Sequence, residues 1–111
     1  MREPSDLEDT FLFYWKVHAP DMPPPEREAR LNPDRRWRYD LTWPEWKVAV
    51  ELHGSVYQRG RHTRGAGFEK DREKMNWATS SGWCVLEYTP GMLKSDPSRC
   101  IGQVVALLSS R

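Results

Sequence analysis

The sequence predicts an α/β fold, a single domain with a central mixed β-sheet flanked by helices. Three observations predict it. Apolar residues recur at helical spacing in three stretches, and they alternate with a period of two in others. The elements run helix, two or three antiparallel strands, helix, strand, helix, an order that suits a layered sheet-and-helix domain. The helix between the last two strands is long enough to carry a right-handed crossover between parallel neighbours. At 111 residues the chain is sized for one core.

The first helix is expected over about Asp6–His18. Ser5 followed by Glu8 is a capping-box pattern, and Leu7, Phe11, Leu12, Tyr14, Trp15 and His18 follow at helical spacing. Pro20, Pro23, Pro24 and Pro25 then forbid a regular helix. Glu26–Leu31 reads as a short edge strand, and Asn32-Pro33-Asp34 as a turn. Arg36–Thr42 alternates, with Trp37, Tyr39 and Leu41 on one face and Arg38, Asp40 and Thr42 on the other. Trp43-Pro44-Glu45 makes a short connection. Trp46–Leu52 is the next strand, with Val48, Val50 and Leu52 opposite Lys47, Ala49 and Glu51. His53–Gly67 has no period, four glycines and several basic residues, and is long enough for a functional loop. A second helix is expected over Phe68–Ser80, with Phe68, Met75 and Ala78 on one stripe and Gly82 just past its end. Trp83–Tyr88 is a third strong strand. A last helix spans about Pro97–Ser109.

Composition excludes some classes. No apolar run approaches the ~20 residues needed to span a bilayer, and Met1–Thr10 is too acidic and polar for a secretory signal. Cys84 and Cys100 sit in apolar surroundings and read as reduced, buried thiols, which implies an intracellular, cytoplasmic setting. The net charge is only +1, but the cations cluster. Arg35, Arg36 and Arg38 surround Trp37, while Arg59, Arg61, His62 and Arg64 stand among glycines. Such local basic segments suit phosphate contacts, with Arg36, Arg38, Arg59, Arg61 and Arg64 as the DNA-binding candidates. Ordinary solvated surface is the alternative.

The chemistry-bearing constellation begins with Asp40 and Glu51. Consecutive strands joined by a short turn bring both to one face. Two close carboxylates repel unless a cation lies between them. Hard oxygen ligands of this kind suit Mg²⁺, with Mn²⁺ as a substitute. Such a metal supplies what phosphodiester hydrolysis needs. Asp71 lies on the predicted apolar stripe of the second helix, where a carboxylate needs compensation. Glu8 lies beside Phe11, Leu12 and Trp15, although the capping box alone also accounts for it. Both join Asp40 and Glu51 as candidate metal ligands. His62 in the basic loop is the candidate general base, with His53 and Lys74 as further candidates.

The ordered series Arg35-Arg36-Trp37-Arg38-Tyr39-Asp40, Trp43-Pro44-Glu45, Val48-Ala49-Val50-Glu51, Gly60-Arg61-His62-Thr63-Arg64-Gly65, Gly67-Phe68, Asp71, Glu73-Lys74, Asn76, Gly82-Trp83 and Val85-Leu86 resembles small phage-type nucleases of the PD-(D/E)XK superfamily. Within it, the chain resembles the branch related to very-short-patch-repair endonucleases. The resemblance runs from Leu7 to about Leu93. It implies that Asp40 matches the metal-binding Asp and Glu51 the second-strand acid. It further implies that Glu8, Asp40, His62 and Asp71 match one branch's ordered Glu, Asp, His, Asp pattern. The superfamily lysine two residues after the second acid is His53 here, and His53, His62 and Lys74 all stand as replacements. The expected activity is metal-dependent DNA endonuclease cleavage, acting in a bacterial host cytoplasm if phage-encoded. The rivals are an inactive DNA-binding module that keeps the nuclease fold, and a Holliday-junction-type resolvase. The chain is expected as a monomer or a homodimer, a resolvase favouring the dimer because two symmetric cuts need two sites.

Overall fold

Four strands form one mixed sheet in the order β1-β2-β3-β4, and helices cover both of its faces. The computed structural model describes residues 4–54 and 65–111. The elements are α1 (Pro4–His18), β1 (Glu26–Ala29), β2 (Tyr39–Trp43), a 3-10 turn (Pro44–Trp46), β3 (Val48–Leu52), α2 (Ala66–Ser80), β4 (Cys84–Tyr88), α3 (Pro90–Ser95) and α4 (Pro97–Ser110). β1 with β2 and β2 with β3 are antiparallel, whereas β3 with β4 is parallel. The expected mixed sheet flanked by helices is therefore the observed one, with α2 as the crossover.

The α1/α4 face holds the core. Phe11 and Trp15 of α1 meet Leu41, Trp43, Val48 and Val50 of the sheet and Ile101, Val104 and Leu108 of α4. These are the periodic apolar positions of each element, and burying them is the main favourable term. Trp15 and Trp43 pack at 5.0 Å, and both indole N–H groups donate to the Pro23 carbonyl. The proline segment is tied down in this way without secondary structure. α2 lies on the opposite face, where Ala49 and Ala78 are fully buried. Gly82 turns the chain out of α2 at φ 91°, a conformation that favours glycine.

Several boundaries differ from expectation. α1 is already helical at Pro4, so Ser5 lies inside the helix and is not its cap. β2 starts three residues later and ends one later than expected, because Arg36–Arg38 lie outside the sheet while Trp43 is a buried strand residue. The hairpin connection is a 3-10 turn closed by Lys47 in the left-handed region, φ 55°. α3 was not expected. A Thr89 hydroxyl accepting from Met92 N–H and Pro90 in the first turn start it. Phe68 does not join a buried stripe. It is 49% exposed with the Arg72 guanidinium over its ring, so Asp71 is not forced into an apolar contact. Cys100 is buried as expected, Cys84 only half-buried, and neither is in a disulfide.

Candidate functional site

The site forms where β2 and β3 stop pairing through their backbones. Leu41 pairs with Val50, and one step further the same register sets Asp40 opposite Glu51. There the carboxylates take over as acceptors. Asp40 N–H donates to Glu51 Oε2 at 2.9 Å, and Leu52 N–H donates to Asp40 Oδ2 at 2.7 Å. The two acids are brought together, but they do not share one face as strict alternation requires. Tyr39 reaches α2, its hydroxyl donating to the Lys74 carbonyl at 2.9 Å. Asp40 meets Glu8 of α1 on the other side. Glu51 turns toward α2, where Lys74 Nζ donates to its Oε1 at 2.7 Å and also sits 4.5 Å from the Tyr39 ring centroid.

Glu8, Glu28 and Asp40 form an acidic trio in which ligating oxygens lie within 4.8 Å of one another. Glu8 is 2% exposed. It occupies the core-facing stripe of α1 with Phe11 and Trp15, three and seven residues on. Its Oε1 accepts from Arg27 at 3.1 Å, and Arg27 also reaches Asp9. Glu28 takes part because its backbone is left-handed, φ 55°. A regular strand sends neighbouring side chains to opposite faces. Here Arg27 and Glu28 both address Glu8. For a residue other than glycine that backbone costs about 1–2 kcal/mol.

Electrostatics mark the same spot. Burial, then a hydrogen bond and repulsion from Glu28, push the Glu8 carboxyl up to about 8, against a smaller lowering by Arg27. Burial also raises Asp40, opposed by the Leu52 N–H and by Lys74. Burial raises Glu51 too, with the Lys74 ammonium pulling it back down. Glu8 is buried, Asp40 half-buried and Glu28 exposed, and three carboxyls this close favour a proton or a cation between them. The donor set, three hard carboxylate oxygens, fits Mg²⁺ or Mn²⁺.

Of the four sequence-derived metal candidates, the trio contains Glu8 and Asp40. Glu51 has both oxygens engaged, by Lys74 and by the Asp40 amide. Asp71 is paired with Arg72 beside it on α2. His53 follows β3 directly. Its backbone N–H donates to the Tyr88 carbonyl, its Nε2 lies 2.9 Å from Glu87 Oε1, and it exerts a small lowering on Asp40. Gly54 comes next, and a Cβ there would stand 3.2 Å from Leu7 Cδ2, so the chain passes tightly against the first turns of α1. Arg36 and Arg38 are exposed just ahead of β2. His62, Arg59, Arg61 and most of the glycine-rich loop lie outside the described residues, as does Arg64. Sequence reasoning missed Glu28, Arg27 and Glu87. Glu28 carried no signal beyond its place in a charged edge strand.

Among the described residues, no helix is long and apolar enough to cross a membrane. No protein-family model matches the chain, and no curated protein or solved structure matches it.

Proposed function

We propose that the protein is a divalent-metal-dependent DNA endonuclease acting in the cytoplasm. One observation carries the reading. The Glu8–Glu28–Asp40 trio adjoins, through the Asp40 amide, the buried Glu51–Lys74 pair. A structural ion pair needs no second set of crowded acids, and a solvated acidic surface does not bury Glu8. Hydrolysis of a phosphodiester needs a cation at the phosphate and an activated water in line with the leaving oxygen. Glu8, Glu28 and Asp40 would hold Mg²⁺ or Mn²⁺, which when bound lowers the pKa of its water and neutralises phosphate charge.

The chain's own residues do the rest. Asp40 is held by the Leu52 amide, so its second oxygen keeps a fixed direction. Glu51, fixed by the Asp40 amide, presents Lys74 at the edge of the acidic trio. Lys74 supplies from α2 the positive charge that His53 does not supply as a lysine two residues after Glu51. Among His53, His62 and Lys74, the contact with Glu51 favours Lys74 for that role. Arg36 and Arg38 offer phosphate contacts immediately before β2.

Supercoiled-plasmid cleavage by purified protein with Mg²⁺, Mn²⁺ or EDTA tests the reading. Nicking with either metal and none in EDTA is expected. Asp40→Asn, whose amide oxygen still accepts from Leu52, should fold normally and lose at least about a thousand-fold in rate, as when a metal-held nucleophile is lost. Full cleavage by Asp40→Asn removes the assignment. Metal-independent DNA binding with no cutting of plasmid or four-way junctions leaves the binding module. Cutting of junctions alone, by a dimer, makes it a resolvase.

A further inference from the structure

We infer that the Arg35–Arg38 segment and Trp77 of α2 form a docking surface for unpaired bases in DNA. The inference rests on the nuclease reading for its partner and specifies the substrate class. Trp37 and Trp77 lie 6.5 Å apart, centroid to centroid, with planes 55° apart. Both are half-buried, and neither belongs to the core between the sheet, α1 and α4 or to the side chains packed against it. The Arg35 guanidinium sits 4.8 Å over the Trp37 ring. Among the described residues, Arg35 makes only a long ion pair, 3.9 Å, with the exposed Glu73, and its carbonyl accepts from Arg30. Arg36 and Arg38 are exposed, and among the described residues no carboxylate pairs with either.

Charge complementarity identifies the occupant as a polyanion. The indoles narrow it further. A surface that grips only duplex phosphates needs the arginines but gains nothing from half-exposed tryptophans, whose apolar area is costly to leave in water. Bases inside a duplex present edges, not faces. Stacking on Trp or Arg planes requires bases that are out of the helix. The surface also adjoins, along the chain, the elements that build the acidic site. Arg38 is two residues before Asp40, and Lys74 lies on α2 one turn before Trp77. A strand whose unpaired base stacks at Trp37 and Trp77 thus passes beside the end of β2 that carries Asp40 and the turn of α2 that carries Lys74. The substrate class is DNA with a single-stranded arm, flap or branch.

Fluorescence anisotropy in EDTA tests this without cleavage, using a fully paired duplex and the same duplex with unpaired arms. The armed DNA should bind about ten-fold tighter, the scale of a stacked base. Trp37→Leu keeps apolar bulk but has no aromatic face. It should abolish that preference while leaving duplex affinity within about two-fold, a change too small to represent a lost stack. Trp37→Phe should restore most of the preference. Arg36→Ala should weaken both DNAs equally. Equal wild-type binding of the two DNAs, or an undiminished preference in Trp37→Leu, overturns the inference. Plasmid nicking separates the two readings. Metal-dependent cutting without a preference for armed DNA ends this inference alone. A Trp37-dependent preference without any cutting sustains it and ends the nuclease reading.

Discussion

The β2–β3 pair is built differently at its two ends. At the Trp43–Val48 end, the backbone ladder is regular and the side chains are apolar, buried against α1 and α4. At the Asp40–Glu51 end, carboxylates replace carbonyls as acceptors, and four acids, Glu8, Glu28, Asp40 and Glu51, gather with Lys74. The first end gains stability from area removed from water. The second is held by interactions that nearly cancel, because desolvating charge costs about what pairing it returns. Favourable packing in one region thus carries a neighbouring region that is poor in stability and rich in chemistry.

Titrating the acidic end should give the largest effect. Glu8 is raised to about 8 from an ordinary carboxyl value near 4.5, so the folded chain binds its proton more tightly than the unfolded chain. Stability owed to this group is fully present below pH 4.5 and falls as pH rises toward 8. At ~1.4 kcal/mol per unit, the loss amounts to a few kcal/mol. Urea melts of metal-free protein across that range should show the decline. Glu8→Gln should flatten it, and Mn²⁺ in excess should restore stability at pH 8 in the wild type only. A wild-type profile as flat as that of Glu8→Gln would mean that the trio is not strained.

Removing Lys74 should come next. Lys74→Met leaves the buried Glu51 carboxylate without its ammonium. Breaking such a pair costs about 3–5 kcal/mol when the remaining charge stays ionised. Glu51, already raised by burial, escapes part of this by binding a proton. The variant should therefore lose little stability at pH 5 and most at pH 8, read by thermal melts at the two values. An equal loss at both would mean that Lys74 acts by packing on Tyr39.

The smallest effect belongs to the regular end. Thr42 is fully buried on β2, and its hydroxyl has no hydrogen-bond partner among the described residues. Thr42→Val keeps the shape and removes the unpaired group, and should stabilise by about 1 kcal/mol at every pH. A destabilised variant would show that the hydroxyl has a partner after all, one supplied by water.

Much of the fold was legible in the chain. Phe11 and Trp15 on α1, Val48 and Val50 on β3, and Ile101 and Val104 on α4 announced themselves by period, because burial selects the same side of an element at each repeat. Asp40 and Glu51 were legible as neighbours, since two alternating strands and a short turn fix their register. Glu8 was ambiguous. Its position after Ser5 fitted a cap, and only the packing of α1 against the sheet turned it toward Asp40.

What the sequence determined by itself is therefore the order of helices and strands, the apolar faces and the pairing of Asp40 with Glu51, all consequences of local periodicity. The tertiary structure decided the rest. It brought Glu28 to Glu8 through a left-handed residue in an edge strand, and it sent Asp40 and Glu51 toward opposite layers. It also delivered Lys74 from a helix twenty-three residues beyond Glu51. Each of these depends on where separate elements meet, and no repeat along the chain encodes the distance between residues that only packing brings together.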